Sequence, residues 1–116
     1  MKLRTRDYAL RVIRLVESLP KTRTADVIGR QLLRSATSVG ANYRATQRAK
    51  SRADFINKLA IVEEESDECG YWIDLLGASG VVRPTRLESI IKETNELTAI
   101  VVAMIKTAKR SRAQVG

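Results

Sequence analysis

The stretch Arg34 to Arg52, RSATSVGANYRATQRAKSR, holds a small-residue helix face, a row of arginines and a helix boundary within nineteen positions. At about 100° per residue, Ile28, Leu32, Ala36, Val39 and Tyr43 fall within one arc of roughly 80°. That arc is a core side, and it predicts a helix over 24–48. Gly29, Ala36 and Gly40 lie on or near its edge, where missing side-chain bulk lets a neighbouring helix come close. Thr24 is the expected cap, with Asp26 placed to favour the positive end of the dipole. Ser51 followed by Asp54 has capping-box spacing and opens the next helix, expected over 51–76.

Working outward, Tyr8, Val12, Leu15, Val16 and Leu19 form one apolar stripe of a first helix, 5–19, which Pro20 stops. In the third helix Phe55, Leu59, Val62, Ser66, Cys69 and Ile73 share a face, and Gly77 and Gly80 end it. Thr85 with Glu88 is a T-x-x-E box that opens a fourth helix, 85–109. Its stripe is Leu87, Ile90, Ile91, Thr94, Leu97, Val101 and Ile105. The polar, basic tail 110–116 is expected to fray. Four amphipathic helices with short connections predict one all-α domain over 1–116, an antiparallel up-down-up-down four-helix bundle.

The net charge is +8, with 21 Lys or Arg against 13 Asp or Glu. It is segregated: thirteen bases and three acids lie in residues 1–52, and eight bases and ten acids follow. A basic half suits nucleic acid, an anionic membrane or an acidic protein surface. The apolar run Ile100 to Ile105 is far shorter than the ~20 residues of a membrane span. The single cysteine, Cys69, cannot form an internal disulfide, and no charged-then-apolar leader precedes Tyr8. The cytoplasm is the expected compartment.

On the second helix Arg30, Arg34, Arg44 and Arg48 fall within about 80° of one another, opposite Ile28, Leu32 and Val39. Thr37 and Ala41 between them leave the guanidinium groups accessible, and Lys50 and Arg52 extend the charge past the helix end. Arginine binds phosphate bidentately, and each neutralised phosphate adds salt-dependent affinity. Aromatic residues are not interleaved with the row, so backbone binding of RNA or DNA is expected rather than base reading.

The third helix carries a second apolar set, Ile61, Trp72 and Leu75 with Tyr71 nearby, among Glu64, Glu65 and Glu68. An indole and aliphatic side chains in a polar rim resemble the anchor cluster of an interface, which predicts self-association. The same acids supply the alternative reading: a protein-interaction or scaffold module whose arginines pair with acidic faces of neighbouring subunits or of a partner. With no histidine, a Ser-His or Cys-His dyad and a histidine-containing metal motif are absent. Cys69 sits on the core face as a small apolar residue. Glu63 and Asp67, one turn apart, lack the Glu-x-x-His pair of a di-iron bundle. No catalytic residue, metal or cofactor is expected.

Arg34-Ser35-Ala36 with Ser38, Ala41-Asn42-Tyr43-Arg44, Gln47 to Phe55, Lys58-Leu59, Glu64 and Tyr71-Trp72 together resemble the four-helix bundle family encoded by intervening sequences in bacterial 23S ribosomal RNA genes, long labelled S23 ribosomal protein. Family members commonly carry Glu where Ala45 stands, so a pairing there is lost. The family is similar in turn to the accessory variability determinant of diversity-generating retroelements, a basic pentameric barrel. The resemblance implies a homopentamer that associates with nucleic acid and with a reverse transcriptase or another protein.

Overall fold

The computed structural model describes residues 1–115, with side chains through Ser111. Among the described residues the chain is all-α: α1 Lys2–Glu17, α2 Arg23–Thr46, α3 Arg52–Ala78 and α4 Glu88–Val115, with a 3-10 turn at Pro84–Arg86. The helices pack as a bundle measuring 53 × 22 × 21 Å. None is long and apolar enough to cross a membrane.

Local chemistry sets the boundaries, and it moves several of them from where the sequence places them. α1 starts at Lys2 rather than Thr5, because Lys2, Leu3 and Arg4 are good helix formers and the Thr5 hydroxyl donates to the Lys2 carbonyl at 3.1 Å. It ends at Glu17, since the residue before Pro20 disfavours helical backbone. The cap of α2 is Thr22, not Thr24: its extended backbone lets Oγ1 accept from the Ala25 N–H at 3.2 Å. At the other end, the amides of Gln47, Arg48 and Ala49 bond three residues back, to Arg44, Ala45 and Thr46. This tightening ends α2 at Thr46, so Arg48 leaves the α-helical wheel.

The capping box at Ser51 and Asp54 forms as expected in one direction, with the Asp54 N–H donating to Ser51 Oγ at 3.0 Å. In return the Asp54 carboxylate accepts from the Lys50 N–H at 2.9 Å, which stitches the turn to α3. Gly77 lies inside α3, where a Cβ would sit 3.3 Å from Leu87 Cδ1, and Gly80 takes φ +82 just past the helix end. The expected box at Thr85 and Glu88 does not open α4; Thr85 falls within the 3-10 turn and the helix begins at Glu88. α4 runs on to Val115, beyond the end expected near 109, and Gly116 lies outside the described residues.

The expected core arc of α2 is buried in full, as are Tyr8, Val12, Leu59, Val62, Cys69, Ile73, Leu87, Leu97 and Val101. Other stripe positions are less than fully buried: Leu15, Val16 and Leu19 of α1 are half-buried against the core. Ile91 is 39% exposed, since it lies about 80° from the centre of the α4 arc, and Phe55 is half-buried while Ile56 takes the core position. Buried hydroxyls keep partners: Tyr8 with Thr94 at 2.6 Å, and Ser66 with Thr98. Ion pairs and hydrogen bonds then fix which levels face each other. Arg4 meets Glu93 and Glu96, and Arg11 meets Ser89. Gly40 lies against Thr5, Gly29 against Val16 and Leu19, and Gly77 against Leu87.

Candidate nucleic-acid interface

The arginine row of α2 is exposed along its length, yet its members have different neighbours. Arg30 pairs with Asp26 one turn earlier at 3.1 Å. Arg34, half exposed, reaches Glu65 and Glu68 of α3, both at 3.4 Å. Its guanidinium also donates to Ser35 Oγ at 3.2 Å. Arg44, Arg48, Lys50 and Arg52 form no ion pair among the described residues. The row therefore divides into a tied N-terminal part and an unpaired C-terminal part that continues through the turn into α3.

Arg44, the first member of the unpaired part, lines a groove of about 350 Å³ between α1 and α2. Lys2 and Arg6 line one wall, Arg44 the other, and Thr37, Gly40 and Ala41 form a floor of small residues. Thr37 and Ala41, which the sequence places between the arginines, line this channel, and two cations of α1 line it as well. Lys2 and Arg6 are absent from the site read in the sequence. Their spacing of four residues places them on one helix face, but starting α1 at Thr5 leaves Lys2 outside the helix and hides the pair. Arg6 makes one loose contact, with exposed Asp7 at 3.8 Å.

Elsewhere two carboxylates are firmly engaged, Glu93 and Asp54. Arg4 grips Glu93 with two bonds of 2.7 and 2.9 Å, which holds the Glu93 carboxyl below its usual range and the guanidinium above its own. The Lys58 ammonium, with the Lys50 N–H, lowers the Asp54 carboxyl in the same way. Cys69 is buried, and burial pushes its thiol up to about 12, away from a reactive thiolate.

The second apolar set of α3 divides too. Ile61 is 42% and Tyr71 57% exposed, whereas Trp72 and Leu75 are half-buried and pack against the core. The Tyr71 and Trp72 rings meet edge-on with centroids 5.0 Å apart. Trp72 Nε1 is buried without a hydrogen-bond partner among the described residues. Glu65 and Glu68, placed by the sequence in the rim of this set, are the carboxylates that hold Arg34, and Glu64 stays exposed.

A family model described as 23S rRNA-intervening sequence protein matches residues 2–103. Among solved structures, a protein of unknown function from the S23 ribosomal protein family of Bacteroides thetaiotaomicron is similar, with TM-score 0.85 and 37% identity. The match covers 90% of this chain and 97% of that one. No curated protein matches the chain.

Proposed function

From the premise that the chain belongs to the 23S rRNA-intervening sequence protein family, we propose that it is a non-catalytic, self-associating bundle that binds RNA or DNA largely independently of sequence. Its topology is antiparallel up-down-up-down. The support is register: partners rise along α1 from Arg4 to Arg11 while they fall along α4 from Glu96 to Ser89. The observation that carries the binding reading is the run of exposed cations without an ion pair among the described residues, Arg44, Arg48, Lys50 and Arg52, the first of which lines the groove together with Lys2 and Arg6. A polyanion that engages Arg44, Arg48, Lys50 and Arg52 displaces no carboxylate paired with them among the described residues. Each phosphate so neutralised contributes about 0.9 to the salt slope on duplex DNA.

The test is a salt titration of binding to generic RNA and DNA. Changing Arg44, Arg48, Lys50 and Arg52 to Ala is expected to lower the slope of log K against log salt by about 3 to 4 on duplex DNA. An Arg30→Ala/Arg34→Ala variant keeps nearly the wild-type slope. Absence of wild-type affinity at low salt, or equal slopes in both variants, overturns the reading.

A second reading, a protein-interaction or scaffold module, draws on one observation: exposed Ile61 and Tyr71 beside Trp72, whose buried indole nitrogen has no partner among the described residues. Both readings include self-association through this patch with Leu75; the family's similarity to the retroelement accessory determinant is what suggests a pentamer and a reverse transcriptase or other protein as partner, and a single cysteine, Cys69, suits the cytoplasm. Trp72→Ala is expected to lower the sedimentation mass of the particle. A fully assembled variant would remove Trp72 as an anchor.

A further inference from the structure

On the opposite flank of α1, away from the groove it shares with α2, Arg11, Arg14 and Leu15 meet Arg86, Ser89 and Ile90 around a concavity of about 200 Å³. Three arginines from two separate parts of the chain thus line one small space. Like charges converge at a cost unless something offsets them, and no carboxylate lies within ion-pair distance of any of the three among the described residues. Glu93, whose carboxyl senses the Arg11 charge, is already held by Arg4 with both oxygens. Arg11 is also aimed, since its guanidinium donates to Ser89 Oγ at 2.8 Å. Ser89 belongs to the first turn of α4, where unpaired backbone N–H groups add partial positive charge. Leu15 and Ile90 supply apolar walls, against which a charge-assisted hydrogen bond is stronger than in open water.

We propose that this concavity is a phosphate-binding site, taking one tetrahedral phosphate group between Arg11, Arg14 and Arg86. It is separate from the groove between α1 and α2 and does not rest on the nucleic-acid reading. Arginine suits the task because its planar fork presents paired donors to two oxygens of one phosphate. The small volume suits a single group rather than a run of backbone. The phosphate can come from solution or from the 5′ end of a nucleic acid, which share this chemistry.

The experiment titrates the full ¹⁵N-labelled chain with inorganic phosphate at low ionic strength, with matched sodium chloride as control. Saturable shifts at the amides of Arg11, Arg86 and Ser89, absent with chloride, are expected. Arg11→Gln/Arg86→Gln is expected to weaken phosphate binding at least about tenfold, the scale of one lost charge-assisted bond. Arg86→Gln alone is the second variant: Arg86 is exposed and its side chain forms no ion pair among the described residues, so the fold is retained and weakening of several-fold is expected. Shifts that chloride reproduces, shifts that do not saturate, or undiminished affinity in Arg86→Gln and the double variant overturn the proposal and leave an adventitious ion only. Competition by a 5′-phosphorylated oligonucleotide beyond that of its 5′-hydroxyl twin identifies a nucleic-acid end as the source; equal competition identifies phosphate from solution. Phosphate binding that survives in the Arg44, Arg48, Lys50 and Arg52 to Ala variant separates this site from the interface proposed above.

Discussion

The two halves of α2 carry the same residue type on the same helical face and are put to different uses. Arg30 and Arg34 in the first half sit opposite carboxylates, Asp26 within the helix and Glu65 and Glu68 across on α3. Arg44 in the second half lines the groove opposite Lys2 and Arg6 of α1, and beyond it Arg48, Lys50 and Arg52 follow without an ion pair among the described residues. A periodicity places a charge on a face; the neighbouring helix decides whether that charge is spent internally or remains available to a ligand. Near the middle of the bundle α3 brings its acidic run to α2, and near the α2–α3 turn the acidic run has ended. The segregation of charge along the sequence therefore reappears in the fold as a gradient of availability along one helix.

The strongest way to sharpen this contrast is to convert the tied half into the unpaired kind. Glu65→Gln/Glu68→Gln keeps the shape of both side chains while removing the charges that hold Arg34. The double variant is expected to bind generic duplex DNA with a salt slope steeper by about 1, and with affinity raised by about tenfold at low salt, as one further phosphate contact becomes available. Its stability should fall by no more than about 1 kcal/mol, because the pairs are half exposed and long, at 3.4 Å. A titration of both proteins side by side checks this. An unchanged slope would mean that Arg34 is kept from ligand by position rather than by pairing.

The four helices, the core of α2 and the Ser51 cap were legible because each follows from local chemistry: a 3.6-residue period, a capping hydroxyl, a proline. The shared face of Arg30, Arg34 and Arg44 was legible for the same reason. What escaped depends on which helix lies beside which. No wheel of α2 shows that Glu65 and Glu68 arrive at Arg34, and no wheel of α1 shows that Lys2 and Arg6 arrive at Arg44. Boundaries also shifted where two local signals competed. The sequence places the cap at Thr24, but extended backbone at Thr22 lets its hydroxyl take that place. Thr85 and Glu88 have the spacing of a box, yet the adjacent Pro84 starts a 3-10 turn that absorbs Thr85. Arg48 continued the arginine wheel on paper, but tightening of the last turn took it off the helix and into the connection.

The smallest expected effect tests the division where it is weakest. Arg30 is tied by one exposed pair within its own helix, and Asp26 lies N-terminal to it, the favourable order for an i,i+4 pair. Such a pair contributes about 0.3 to 0.5 kcal/mol, part of which the higher helix propensity of alanine offsets on substitution. Arg30→Ala should therefore lower the melting temperature by about 1 to 2 °C, on the usual scale of several degrees per kcal/mol for a domain of this size. For nucleic acid the expectation is a slope change well below the ~0.9 of a full phosphate contact. If Arg30→Ala instead removes a full contact, an exposed i,i+4 partner is too weak to withhold an arginine from a polyanion. The available surface then extends along the whole face of α2, and Arg34 alone is set apart by its two carboxylates on α3.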